Sequence, residues 1–205
     1  EAALFGCAVL TGVGAVVNTA GFRMGATAAV IGLGGVGLAA LLGARAAGAS
    51  RLVAVDLSPE KLELARSLGA TDVVDARDPD CAERVCALTD GGVDCAFEMA
   101  GSVPALVGAV EMTRRGGLTV TAGLPAPGSA LPVDIVRLVG EERTLKGSYM
   151  GSCVPSRDIP RYMQLCREGR LPVGKLLSGT LALDEINLGF DRLAEGSAVR
   201  QVVLF

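Results

Sequence analysis

The feature that most constrains this fold is a run of closely spaced glycines, Gly32-Leu-Gly34-Gly35-Val-Gly37, between a predicted strand and a predicted helix. Glycine permits the tight turn at Gly32, the close approach of a ligand to the backbone at Gly34, and close helix–strand packing at Gly37. The first N–H groups of the helix attract negative charge. The run therefore predicts a loop that binds the pyrophosphate of a dinucleotide.

Strand and helix patterns alternate along residues 27–148, which predicts an α/β fold with a doubly wound parallel sheet. The predicted strands are Thr27–Leu33, Arg51–Asp56, Asp72–Asp75, Val93–Glu98, Gly117–Ala122 and Thr144–Ser148. The predicted helices are Gly35–Ala47, Pro59–Leu68, Asp80–Leu88, Val103–Arg114 and a short one at Asp134–Val139, with Leu4–Ala20 as a lead-in helix. After Gly151 the pattern changes to helix Ser156–Arg167, an irregular stretch, helix Asp184–Glu195 and strand Gln201–Phe205. We do not expect this tail to extend the same sheet.

Asp56 ends the second predicted strand, 19 residues after Gly37. A carboxylate there accepts hydrogen bonds from the adenosine ribose hydroxyls and repels a 2′-phosphate, so NAD is expected rather than NADP. The next helix does not need Asp56 as its cap, because Ser58 and Pro59 supply its start. Lys61, in the first turn of that helix, gains nothing from the helix dipole there. We expect it to contact the ribose or Asp56.

Charge and composition exclude several other classes of protein. The 22 acidic and 19 basic residues give a net charge of -3 without a run of one sign, so nucleic acid is not expected as a partner. Residues Met24–Ala44 carry no charge and are long enough for a membrane span, but six glycines divide them into strand, turn and helix. No membrane association is expected.

Six cysteines and no histidine make a self-contained metal site improbable, because no pair has the CxxC spacing. In a chain without a secretory segment, scattered cysteines indicate reduced thiols and a cytoplasmic protein.

Several segments together resemble the medium-chain zinc-dependent alcohol dehydrogenases, and the resemblance extends over the whole chain. Besides the glycine run and Val53-Ala-Val-Asp56, they are Gly6-Cys7, Thr11-Gly-Val-Gly-Ala15, Asn18-Thr-Ala20, Leu68-Gly-Ala-Thr71, Thr89-Asp-Gly-Gly-Val-Asp94, Phe97-Glu98, Leu145-Lys-Gly-Ser148 and Arg200-Gln-Val-Val-Leu-Phe205.

This resemblance implies a set of site residues. Cys7 matches one protein ligand of the catalytic zinc, and the other two ligands belong to an N-terminal domain that we expect to be missing here. Thr11 lies one helical turn after Cys7, where its hydroxyl would face the nicotinamide. Further matches are Val36 and Leu124 at the nicotinamide or its ribose, Ala122 at the carboxamide and Arg200 at the pyrophosphate. Ser102 stands where many relatives have an arginine near the adenosine.

The resemblance also implies an organisation and an activity. Residues 1–7 would be the fringe of the catalytic domain, 8–150 the dinucleotide-binding domain, and 151–205 the segment that returns to the catalytic domain. The activity would be hydride transfer between NAD and a small alcohol, aldehyde or thiol adduct, with zinc and NAD as cofactors. The chain alone is expected to be inactive. It is expected to form a homo-oligomer, a dimer or tetramer, through Leu124–Gly147.

Two alternatives remain open at this stage. A zinc-free quinone or enoyl reductase that uses NAD(P)H would share the fold, but it needs neither a thiolate at Cys7 nor a carboxylate at Asp56. A non-catalytic NAD-binding module that regulates a partner would share the cofactor site without the zinc ligands.

Overall fold

The computed structural model describes residues 2–205 and contains a six-stranded parallel sheet in the order β3-β2-β1-β4-β5-β6. The strands are β1 Thr27–Ile31, β2 Arg51–Asp56, β3 Asp72–Asp75, β4 Val93–Glu98, β5 Thr113–Thr121 and β6 Thr144–Gly147. The helices are α1 Cys7–Gly14, α2 Gly35–Ala46, α3 Pro59–Leu68, α4 Cys81–Leu88, α5 Val103–Met112, α6 Ile135–Gly140, α7 Pro155–Arg167 and α8 Ile186–Ala194. The predicted doubly wound α/β fold is confirmed.

The sheet separates two apolar cores because successive strand residues point to opposite faces. In β1, Val30 packs into the core that contains Leu41 and Phe97, whereas Ile31 packs into the one that contains Val53. Burial on both faces explains why the central strands are apolar runs without polar alternation.

The charge-free stretch at residues 24–44 contains β1, the glycine turn and most of α2. The helix α2 has 12 residues, far fewer than the roughly 20 that a membrane span needs. No helix within residues 2–205 is long and apolar enough to cross a membrane.

Two predicted helices differ clearly from the structure, and β5 begins at Thr113, four residues before the predicted start at Gly117. The lead-in helix is divided into a 3-10 turn at Ala2–Phe5, α1, and a π-helical turn at Ala15–Thr19, so the single helix Leu4–Ala20 was wrong. The helix predicted to reach Arg114 ends at Met112, because Thr113 adopts extended backbone angles and begins β5.

The stretch of the tail that was predicted to be irregular contains a strand, β7 at Gly179–Ala182. This strand pairs in parallel with β8 at Gln201–Leu204. These two strands form a separate sheet. The expectation that the tail does not extend the main sheet is therefore confirmed, while the domain boundaries remain predictions.

Candidate functional site

The glycine turn joins β1 to α2 in the conformation that its sequence predicts. Gly32 has a φ of +88°, and a Cβ there would lie 2.7 Å from the backbone nitrogen of Ala100. A Cβ on Gly37 would overlap the carbonyl oxygen of Gly32, so only glycine lets the helix approach the turn. Gly34 is the N-cap of α2 without a side-chain cap, and a Cβ there would meet no atom within 4 Å. Space is therefore available for an anion beside the first N–H groups of α2.

Asp56, at the end of β2, is hydrogen-bonded to this turn. Its Oδ2 accepts the N–H of Leu33 at 2.6 Å, and its Oδ1 accepts the N–H of Ser58 at 2.9 Å. Ser58 caps α3 as predicted, accepting the N–H of Lys61 at 3.2 Å. An ionised carboxylate has about four acceptor positions. Two therefore remain for a ligand, while one of the others fixes the glycine turn to the end of β2 and one holds the start of α3.

A cleft of about 610 Å³ opens at the carboxyl ends of the central strands. Gly34, Asp56, Lys61 and Ser102 are among the residues that line it. The strands β2 and β4 lie on either side of β1, so the chain reverses its winding direction at this point. Crevices at such reversals are where open α/β sheets bind ligands.

Two residues of the cleft, Lys61 and Ser102, make contacts that the sequence did not predict. None of the ion pairs that the described residues form joins Lys61 to Asp56. The Nζ of Lys61 instead lies near Gly196, 3.7 Å from the position that a Cβ on that glycine would occupy. The contact of Lys61 with the ribose or with Asp56 therefore remains a prediction. Ser102 caps α5 by accepting the N–H of Ala105 at 3.3 Å.

Arg200 comes from the far end of the sequence to the start of α2. Its Nε lies 3.7 Å from the position that a Cβ on Gly35 would occupy. The N–H of Ser178 donates to its carbonyl oxygen at 2.6 Å and ties this segment to the chain before β7. The structure thus brings a guanidinium group beside the predicted pyrophosphate loop.

Cys7 and Thr11 lie one turn apart on α1, and Met150 contacts both of them. The Sδ of Met150 is 3.8 Å from the Sγ of Cys7 and 3.8 Å from the Oγ1 of Thr11. Cys7 is exposed, whereas Thr11 is buried.

Close packing connects this pair with the glycine turn. A Cβ on Gly12 would overlap the carbonyl oxygen of Val36 and lie 2.6 Å from the nitrogen of Ala40. The absence of a side chain at Gly12 therefore lets α1 cross the first turn of α2 at close range. The candidate zinc ligand and the candidate dinucleotide loop are thereby held in one rigid unit.

Cys7 cannot hold a metal ion by itself. Within the described part of the chain, no group of three or more His, Cys, Asp or Glu side chains is placed to bind a metal. A catalytic zinc site needs three protein ligands, of which thiolate is a common type. Cys7 could therefore supply only one of the ligands that such a site needs.

Two cysteines of the main sheet and its helices, Cys81 and Cys95, are buried. Burial raises the pKa of the Cys81 and Cys95 thiols to about 11, so both stay protonated at neutral pH. A buried thiol in this state behaves as a small apolar side chain.

Sequence reasoning did not identify Glu98, which organises the loops after β4 and β5. Its side chain is only 1 % exposed, and its two carboxylate oxygens accept the N–H of Gly101 and the hydroxyl of Thr121, each at 2.6 Å. The N–H of Ala122 donates to the main-chain oxygen of Glu98 at 3.0 Å. Glu98 thus fixes the backbone before Leu124, whose side chain is 82 % exposed. Its position at the end of a central strand was the available signal.

Comparison with known proteins gives consistent matches. The family described as zinc-binding dehydrogenase matches residues 35–168. Alcohol dehydrogenase class-3 of Myxine glutinosa is 39% identical over 203 residues, which are 98% of this chain and 54% of that protein. Alcohol dehydrogenase 1 of Trifolium repens is 36% identical, with 98% of this chain and 53% of that protein covered. The chain thus spans about half the length of the curated relatives it matches.

Solved structures agree over nearly the whole chain. Benzyl alcohol dehydrogenase of Acinetobacter calcoaceticus superposes with a TM-score of 0.94 at 33% identity, covering 97% of this chain and 55% of that one. An alcohol dehydrogenase zinc-binding domain protein of Burkholderia ambifaria gives the same TM-score and identity, covering 97% and 54%. The chain therefore belongs to the zinc-binding dehydrogenase family, and it matches the NAD-binding portion of medium-chain alcohol dehydrogenases.

Proposed function

We propose that this chain binds NAD and forms the cofactor-binding part of a zinc-dependent alcohol dehydrogenase. The observation that carries the proposal is the convergence of three separate segments on the glycine turn and the first turns of α2. Asp56 is hydrogen-bonded to the glycine turn, and Arg200 lies at the start of α2 beside Gly35. Cys7 and Thr11 are held against the same helix through Gly12. A nucleotide-binding site and a soft metal ligand thus lie in one rigid unit.

The proposed binding residues form three groups, one for each part of the dinucleotide. The first N–H groups of α2, at Gly34 and Gly35, and the guanidinium of Arg200 would hold the pyrophosphate. Asp56 would accept hydrogen bonds from the adenosine ribose, with Lys61 beside it. Val36, Leu124 and the carbonyl of Ala122 would contact the nicotinamide half, with the Thr11 hydroxyl next to it. NAD supplies the hydride acceptor, while these residues bind and orient it.

The proposed preference for NAD over NADP rests on Asp56. Its two oxygens already accept backbone N–H groups, which fixes the side chain at the edge of the cleft. A 2′-phosphate at the ribose would add a second negative group beside this carboxylate. The neutral ribose hydroxyls instead donate hydrogen bonds to it.

Cys7 would contribute one thiolate to a zinc site. Zinc in such a site acts as a Lewis acid toward an oxygen of the substrate. The substrate class that we propose is a small alcohol or its aldehyde, since the relatives named above are alcohol dehydrogenases. A zinc-free reductase or a non-catalytic module has no specific observation in its favour.

Activity should depend on residues outside this chain. We expect activity from a protein in which this chain is joined to a domain with the remaining zinc ligands. Such a protein should oxidise a primary alcohol and reduce NAD. The 205-residue chain alone should show no turnover, because one thiolate does not make a catalytic zinc site. A spectrophotometric assay of NADH formation compares the two. Turnover by the chain alone would refute the proposed division of the site.

We also propose that cofactor domains of this protein pair through the β6 edge. All four residues of β6 are exposed, and neighbouring Val136 and Val139 expose apolar side chains. An unpaired strand edge of this kind favours association with another strand.

Sedimentation velocity should therefore detect a dimer or tetramer. Leu145→Lys should shift the distribution of species toward monomer. Leu188→Lys, on the exposed face of α8, is the matched control and should leave the distribution unchanged. A chain that stays monomeric at high concentration would contradict this pairing.

The assignment of residues 151–205 to a returning segment of the catalytic domain also remains a proposal. The separate β7–β8 sheet supports it, because these strands do not join the dinucleotide-binding sheet. Cytoplasmic localisation stays a prediction, which the six free cysteines support.

A further inference from the structure

One face of the first helical segment is covered by a turn from a distant part of the sequence. Cys7, Thr11 and Asn18 share this face, at spacings of four and seven residues. Met150 contacts the first two, and the Nδ2 of Asn18 donates to the carbonyl oxygen of Gly151 at 3.3 Å. Residues 150–152 therefore form one wall of the site that Cys7 and Thr11 define.

This turn has an unusual backbone conformation. Met150, Gly151 and Ser152 have φ angles of 50°, 66° and 50°. Such angles suit glycine but are unfavourable for methionine and serine, which keep them only where the surrounding structure holds them. Gly151 itself packs so closely on α1 that a Cβ there would lie 2.7 Å from the Cα of Gly14.

Thr19 supplies the contacts that hold the turn at both ends. Its side chain is only 3 % exposed, and its hydroxyl lies 2.8 Å from the Oγ of Ser148 and 2.9 Å from the Oγ of Ser152. One hydroxyl can donate to one serine and accept from the other. The Nζ of Lys146 also donates to the carbonyl oxygen of Thr19 at 2.7 Å.

The π-helical turn at Ala15–Thr19 explains how two consecutive residues reach this wall. A regular α-helix turns neighbouring side chains about 100° apart, whereas a π turn changes the register locally. Asn18 and Thr19 both contact residues 148–153 as a result.

We propose that Thr19 is a positioning residue for the nicotinamide half of the bound dinucleotide. It acts through the turn at residues 150–152, which it holds so that the Met150 thioether stays in contact with Thr11 and Cys7. The proposal rests on the proposed binding of NAD. It assigns a role in cofactor binding to a side chain that does not itself line the dinucleotide cleft.

The test compares NADH with ADP-ribose, which has the pyrophosphate and both riboses but lacks the nicotinamide. Isothermal titration calorimetry measures both affinities for the 205-residue chain and for Thr19→Val, which keeps the side-chain shape without the hydroxyl. We expect NADH to bind Thr19→Val about five-fold more weakly, because the turn that carries Met150 is no longer held at Ser148 and Ser152. The affinity for ADP-ribose should not change, and Thr19→Ser should restore the affinity for NADH.

Thr113→Val is the matched control. Thr113 is fully buried, its hydroxyl lies 2.8 Å from that of Thr119, and neither side chain lines the cleft or bonds to the turn at residues 150–152. Both affinities should stay at the level of the unmodified chain. Met150→Ala is a second variant, independent of how well Thr19→Val folds. It should also weaken the binding of NADH without affecting the binding of ADP-ribose.

Three results would overturn the inference. Equal losses for NADH and ADP-ribose in Thr19→Val would show a general structural role. Equal affinities of the unmodified chain for the two ligands would show that the nicotinamide is not held here, although the dinucleotide site would stand. Failure of the unmodified chain to bind either ligand would refute the proposed function and, with it, this inference.

Discussion

Gly37→Ala is expected to abolish dinucleotide binding and to lower the free energy of unfolding by about 3 kcal/mol, the upper part of the range for overpacking. The added Cβ would overlap the carbonyl oxygen of Gly32. A backbone oxygen cannot move aside as the end of a flexible side chain can. Helix α2 and the glycine turn must therefore separate. The N–H groups at the start of α2 are then displaced from the position in which they would bind the pyrophosphate. Urea unfolding and titration with NADH measure the two effects.

Gly34→Ala is the matched control for this change. Gly34 has a φ of -73° that alanine adopts readily, and an added Cβ meets no atom within 4 Å. The free energy of unfolding should change by less than about 1 kcal/mol. NADH binding should nevertheless weaken, because the methyl group would occupy space that the pyrophosphate needs. If Gly37→Ala unfolds at the same urea concentration as Gly34→Ala, the close contact between Gly37 and Gly32 is refuted.

Asp56→Asn should weaken NADH binding about ten-fold, because a charge-assisted hydrogen bond contributes roughly 1.5 kcal/mol or more. The amide keeps the shape of the side chain but removes the negative charge and one acceptor oxygen. The affinity for NADPH should fall less or rise, because the variant no longer repels a 2′-phosphate. The ratio of the two affinities, measured by calorimetry, should therefore move toward one.

Asp75→Asn is the control for the charge change. Asp75 is paired with Asp56 in the register of β2 and β3 and likewise ends its strand. Hydrogen bonds from the Arg77 side chain and backbone lower the pKa of Asp75 to about 2, so Asp75 is ionised at neutral pH and Asp75→Asn removes one negative charge. Both affinities should remain unchanged in this variant. Equal effects of the two substitutions would show that the overall charge, and not Asp56 itself, sets the cofactor preference.

The elements that sequence predicted well are those with local signals. The bounds of β2 and α3 were predicted correctly, and the glycine turn adopts its expected shape. Glycine spacing, an N-cap serine followed by proline, and a continuous apolar run all act within a few residues. The strand β7 was missed because it has only four residues and its partner β8 lies about 20 positions later.

The site shows the same division between local and distant causes. Asp56 could be predicted from its place at the end of β2, but its hydrogen bond to Leu33 depends on how the strands align. The contact of Met150 with Cys7 joins residues 143 positions apart, so no local sequence pattern predicts it. The role of Thr19 likewise depends on serines more than 120 positions away.

Titration of the unmodified chain with NADH and NADPH tests the central claim most directly. Because the glycine turn, Asp56 and Arg200 lie in one chain, binding should not need the zinc ligands or the rest of a catalytic domain. We predict saturable binding of NADH and at least about ten-fold weaker binding of NADPH, the effect of one carboxylate beside a phosphate. Equal or tighter binding of NADPH, or no binding of either nucleotide, would contradict the account.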